Sequence, residues 1–192
     1  IEPAENAPDG DSLMKLLGKA GQHPEGQFFP DTYVYPKHGN ELDVWRQATT
    51  AMDKKLAQAW ASRQPDLPLK TPYEALILAS IVEKETGKAA DRPLIAGVFT
   101  KRLRAGMRLQ TDPTVIYGVG EAFKGDITKA HLRTDTPYNT YTRAGLPPTP
   151  IAMVGEAAPS VTSTQVAPRS HAARRRYRSN WNATALPRAP RI

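Results

Sequence analysis

The stretch TPYEALILASIVEKETG, Thr71 to Gly87, constrains this chain more than any other. It opens with three helix signals in a row. Thr71 can accept a hydrogen bond from the first turn, Pro72 suits the first helical position, and Glu74 can complete a capping box. An apolar run from Ala75 to Val82 follows, interrupted only by Ser80. Gly87 is a natural stop. The pattern predicts a helix that the rest of the chain must cover. That helix ends in two carboxylates, Glu83 and Glu85.

Helical geometry separates the two. With Leu78 at zero and about 100° per residue, Ile81 falls near 300°, Val82 near 40° and Glu85 near 340°, inside the apolar stripe. Glu83 falls at about 140°, on the far side beside Leu76. Burial at the rim of a core pushes a carboxyl toward its protonated form, and the negative end of the helix pushes the same way. A carboxyl that holds a proton near neutral pH is the general acid that cleavage of a glycosidic bond needs. Glu83 reads as a solvated or supporting carboxylate and is the secondary candidate. A simple ion pair of Glu85 with Lys84 or Lys88 is the competing reading, and helix geometry alone leaves it open.

Other elements can be read around this helix. DSLMKLLGKAG predicts a short helix capped by Asp11 or Ser12 and stopped by Gly21. Pro24 to Gly39 is aromatic and Pro-rich, so it should be extended and turn-rich. From Asn40 to about Gln64, Leu42, Trp45, Met52, Leu56, Ala59 and Trp60 recur near helical spacing and predict a long amphipathic helix. PDLPLK links it to the apolar helix. A further helix should start at Arg92-Pro93 and run through Ile95, Val98, Phe99 and Leu103 to Gly106. MRLQTDPTVIYGVG reads as a loop or short strand leading into a helical turn. Residues 121–150 have little periodicity and should form ordered loops around short helices, of the kind that often line sites.

Charge and composition exclude several classes. The chain has 192 residues and no cysteine, which rules out disulfides, thiolate metal sites and thiol nucleophiles. Its net charge is +7, yet seven arginines (169, 174, 175, 176, 178, 188 and 191) and no acid lie after residue 158. The 19 remaining Lys and Arg equal the 19 acids, so the body is neutral and nucleic acid is not the expected partner. No run reaches the roughly 18 apolar residues of a membrane span. The chain starts at Ile1, which reads as a fragment or processed form and leaves room for an upstream anchor or targeting segment. His23, His38, His131 and His171 lack metal-ligand spacing, and no Gly-rich phosphate loop or G-x-S-x-G elbow occurs. No cofactor or metal is expected. Two polar clusters remain. Leu109–Gly118 brings together Gln110, Thr111, Asp112 and Thr114. Pro137–Pro150 brings together Tyr138, Asn139, Thr140 and Tyr141. Rings for stacking and amides for hydroxyls suit a sugar site, while turn-making is the alternative role of Asp112-Pro113 and Asn139.

Four segments together resemble one family: EGQFFPDTY at 25–33, ILASIVEKET at 77–86, VFTKRLRAGMRLQTDPTVIYG at 98–118 and YNTYTRAGLPPTPI at 138–151. They look like the MltG (YceG-like) endolytic murein transglycosylases. The resemblance implies a bacterial enzyme that cuts peptidoglycan glycan strands internally at the β-1,4 bond between N-acetylmuramic acid and N-acetylglucosamine. No water is added, and a 1,6-anhydro ring forms on the muramic residue. It implies anchoring by one N-terminal helix, a catalytic part on the periplasmic side of the cytoplasmic membrane, and association with penicillin-binding proteins. The Glu-Thr pair at a helix end then selects Glu85-Thr86 as catalytic. Gln110, Thr111, Asp112, Tyr138, Asn139 and Tyr141 would line the cleft. The expected fold is α+β: a helical core with the catalytic Glu at a helix end, plus a small mixed or antiparallel sheet that rests on the resemblance.

After Ala158 the likeness stops. PSVTSTQVAPRSHAARRRYRSNWNATALPRAPRI has no counterpart to the strands the family places there, and it reads as an out-of-frame continuation. The expected organisation is a 1–24 segment left from an upstream region, a 25–158 catalytic domain, and a disordered basic tail over 159–192. The rival readings are a catalytically silent peptidoglycan-binding module, a nucleic-acid binder acting through the tail, and cationic adhesion of the tail to acidic lipids or wall polymers.

Overall fold

The computed structural model describes residues 9–37 and 39–155. The tail over 159–192 lies outside the described residues. Six α-helices carry the fold: α1 Gly10–Leu16, α2 Glu41–Ala61, α3 Pro72–Glu85, α4 Arg92–Arg104, α5 Asp112–Val119 and α6 Lys129–Arg133. The helical core of the expected fold is present, and no strand of the expected sheet occurs among the described residues.

The helix α3 is the axis. Every residue from Ala75 to Val82 is buried, so its apolar character wraps the whole circumference rather than one stripe. Such a helix needs neighbours on all sides, and α2, α4 and α5 pack against it. Phe29, Met52, Ile95, Phe99, Leu109, Ile151 and Val154 fill the core around it. The polar interruption at Ser80 has a purpose. Its fully buried hydroxyl donates to the Ile77 carbonyl (2.7 Å) and accepts from the Ile151 N–H (2.9 Å), fastening the C-terminal segment to the helix.

The helix ends follow the sequence closely, with small shifts. Thr71 caps α3 by accepting from the Glu74 N–H at 3.2 Å. The Glu74 carboxylate reaches back to the Lys70 N–H, one residue before the capping-box position. The helix stops at Glu85, and Thr86, with extended backbone, takes it out ahead of Gly87. Asn40 caps α2 as its position suggests. Asp9, rather than Asp11 or Ser12, caps α1, accepting from the Ser12 N–H at 2.8 Å. That helix is closed by Gly18 in the left-handed region (φ 76°), ahead of Gly21. Met14 of α1 packs with Phe28 and Ala48 in a second, smaller cluster, and Lys19 pairs with Asp53 of α2. The expected turn after Met107 is a two-turn helix, α5, with Pro113 in its first turn. In the loop-rich region, α6 has a reciprocal box in which Thr128 and His131 bond each other's backbone.

Candidate active site

Glu85 is the last residue of α3 and is half-buried. Burial pushes its carboxyl above the ordinary value, and the nearby charge of Asp112 adds to the rise. A hydrogen bond from Thr111 and the charge of Arg102 act the other way. The Thr111 hydroxyl donates to Glu85 Oε2 at 2.6 Å. The group has partners that stabilise its carboxylate and surroundings that favour its acid form. A carboxyl that must give a proton and then take one back needs that balance.

Thr111, Asp112 and Tyr141 assemble next to Glu85. Asp112 starts α5, and the Tyr141 hydroxyl donates to its Oδ1 at 2.5 Å. Burial raises the Tyr141 phenol far above its usual value, followed by this bond to Asp112 and by the charges of Asp112 and Glu85. Gln110 is exposed, and its backbone is in the left-handed region (φ 50°), unusual for a residue other than glycine. Strain of that kind concentrates where a site dictates local geometry.

The other sequence candidates take different places. Asn139 is buried, and its amide nitrogen faces the carbonyls of His131 (3.2 Å), Leu132 (3.2 Å) and Thr134 (2.7 Å). Its Oδ1 accepts from the Tyr141 N–H at 2.8 Å. Those bonds match the turn-making role and leave no free donor for a ligand; Asn139 holds Tyr141 in place. Tyr138 packs on Tyr117, toward the far end of α5 from Asp112, with ring centroids 4.8 Å apart, and its hydroxyl meets that of Thr149 at 2.8 Å. Burial and the charge of Glu25 raise the Tyr117 phenol to about 12. Glu83 takes the supporting role rather than the solvated one. Its Oε1 accepts from Arg92 Nη2 at 2.7 Å, joining the end of α3 to the start of α4, and only 23% of its side chain is exposed.

Sequence reading missed Arg102, whose guanidinium donates to the Leu109 carbonyl and whose charge reaches Glu85. Within KRLR it looked like one cation of a solvated helix end. Thr114 and Thr140 were visible in the polar clusters, but nothing in their spacing gave their relation to Thr111.

Fold and site define a helical domain built around one half-buried acid at the end of its central helix. The chain belongs to the YceG-like family, whose match covers residues 3–163. It is 37% identical over 141 residues to an endolytic murein transglycosylase of Bacillus subtilis strain 168, covering 73% of this chain and 39% of that protein. It is 36% identical over 132 residues to an endolytic murein transglycosylase of Streptococcus pneumoniae serotype 2 strain D39, covering 66% of this chain and 23% of that one. The crystal structure of a YceG-like protein from Listeria monocytogenes superposes with a TM-score of 0.64 at 33% identity, over 80% of this chain and 53% of the other. The chain thus spans less than two-fifths of the length of these curated relatives.

Proposed function

We propose that this chain carries the catalytic region of an endolytic murein transglycosylase, with Glu85 as its single acid and base. One observation carries the reading: a carboxyl at the end of a buried helix that burial raises above its ordinary value, with the Thr111 hydroxyl donating to its Oε2 at 2.6 Å. Glu85 protonates the glycosidic oxygen as the bond from the muramic C1 breaks with oxocarbenium character. The resulting carboxylate takes the proton of the muramic C6 hydroxyl as O6 bonds to C1. Both protons are then accounted for, no water enters, and the sugar is left with a 1,6-anhydro ring.

A hydrolase would use a second carboxylate as nucleophile or base. Asp112 is the one at hand, but one of its oxygens is engaged by Tyr141. We assign Asp112 and Tyr141 to substrate positioning beside Glu85, with exposed Gln110 at the edge of the same surface. The substrate is the glycan strand of peptidoglycan. The proposal includes a catalytic unit centred on residues 25–158, a small mixed or antiparallel sheet completing it, and action at the periplasmic side of the cytoplasmic membrane beside penicillin-binding proteins. Digestion of purified peptidoglycan, with soluble products read by liquid chromatography and mass spectrometry, tests the reading. Muropeptides lighter by one water support it, and hydrated reducing ends made by the same chain point to a hydrolase.

A further inference from the structure

We propose that Thr111 is a positioning residue for Glu85: a closed loop of hydrogen bonds fixes its backbone, and its hydroxyl pins Oε2 as the permanent acceptor, leaving Oε1 to carry the working proton. This rests on the reading of Glu85 as acid and base.

The hydroxyl inventory gives the loop a direction, because each threonine has one hydrogen to donate. The Thr114 hydroxyl donates to the Thr111 carbonyl at 2.7 Å. In its 2.8 Å contact with the Thr140 hydroxyl, Thr140 is therefore the donor. The Thr140 oxygen accepts from the Thr111 N–H at 3.1 Å. The bonds run from the Thr111 N–H through Thr140 and Thr114 back to the Thr111 carbonyl. All three residues are buried, at 1%, 0% and 2% exposure for Thr111, Thr114 and Thr140. Gln110, in its left-handed conformation, donates its own N–H to the Thr140 carbonyl at 3.1 Å and brings the chain into this loop.

A second observation is independent of the loop. Thr111 is the N-cap residue of α5, yet its side chain makes no capping bond. A threonine there ordinarily accepts from the first turn, a contribution of about 1 kcal/mol. Here the hydroxyl is turned to Glu85 instead. Its hydrogen has Oε2 as acceptor. A proton on Oε2 would turn that oxygen into a much poorer acceptor for the buried hydrogen and set two hydrogens against each other in one contact, which is costly. The acid form of Glu85 therefore carries its proton on Oε1. That oxygen gives the proton to the leaving oxygen when the C1–O bond breaks and receives the C6 hydroxyl proton when O6–C1 forms. Oε2 keeps its bond to Thr111 throughout.

The charged and titratable groups facing Glu85 are Asp112 of α5, Arg102 of α4 and Tyr141 of the following loop. Thr111 and Arg102 favour the carboxylate, while burial and Asp112 oppose it. The test compares the full chain with Thr111→Val and Thr111→Ser. Three readouts are taken: the carbon-13 NMR titration of labelled Glu85, the melting curve, and the rate of anhydro-muropeptide release across pH. Thr111→Val is expected to titrate higher than the parent, to move the alkaline limb of the rate profile upward with it, and to release product roughly 10- to 100-fold more slowly. Thr111→Ser is expected to restore all of these. A folded Thr111→Val in which Glu85 titrates as in the parent would overturn the proposal. So would a Thr111→Ser that behaves like the valine. If Thr111→Val does not fold, Thr140→Val, which opens the loop but keeps the Thr111 hydroxyl, must raise the Glu85 titration or the proposal fails. If the parent releases no anhydro product, the proposed function fails instead, and the NMR titration still decides the Thr111 coupling.

Discussion

At the scale of a residue, Glu85 is the group whose protonation, in the function proposed above, links stability to activity. Its ordinary value is 4.5, and burial raises it in the folded chain. Between those two values the folded state holds a proton that the unfolded state has lost, so stability falls as pH rises through that window. Above the folded value the loss is complete and levels off. Glu85→Gln has no such titration. Its melting temperature is predicted to match the parent's below the ordinary carboxyl value and to exceed it once pH has risen through that window, as read by melting curves across pH. A constant difference at every pH would contradict the burial argument. The sequence separated Glu85 from Glu83 because two residues of helical phase, about 200°, put them on opposite sides of the helix. It did not make Thr111 legible as a partner. Residues 26 apart in the chain meet only once α5 lies against α3, and no local pattern encodes that meeting.

At the scale of an element, α3 was legible in nearly full detail, from the Thr71 cap to its end at the glutamates. Composition and end signals sufficed because the helix is apolar all round and bounded by unambiguous caps. The reading of a single apolar stripe fell short for the same reason. Burial of every residue from Ala75 to Val82 leaves Glu83, the next residue, partly covered, and it pairs with Arg92. Glu83→Gln is predicted to lower unfolding free energy by about 1–2 kcal/mol in urea titrations, because the pair is only partly buried and the Arg92 charge is left without its partner. It should leave the identity of the products unchanged; loss of all product from a folded Glu83→Gln would move the acid to that residue. Ser80→Ala, which strands the Ile151 N–H in the core, is predicted to cost about 1–3 kcal/mol by the same measurement. An unchanged stability would mean that the C-terminal segment is not fastened through Ser80. The helix α5 was underestimated as a turn because Asp-Pro reads equally well as turn or helix start.

At the scale of the whole molecule, a neutral body carries the site, and the cationic excess lies after residue 158. The family match ends at residue 163, and the seven tail arginines fall beyond it. The charge division is a matter of composition alone, because loss of every acid at one point needs no structure to be seen. The sheet was not readable in that way; it rested on resemblance, and no strand occurs among the described residues. What unifies the molecule is the placement of one carboxyl at the end of its most buried helix, and the proposed reaction rests on the state of that carboxyl. The most direct measurement is the product analysis of purified peptidoglycan incubated with the parent and with Glu85→Gln. The account predicts 1,6-anhydro muropeptides from the parent and a loss of about 10²- to 10⁴-fold in their release with Glu85→Gln, at an intact melting transition. Anhydro products released equally by both proteins would contradict it.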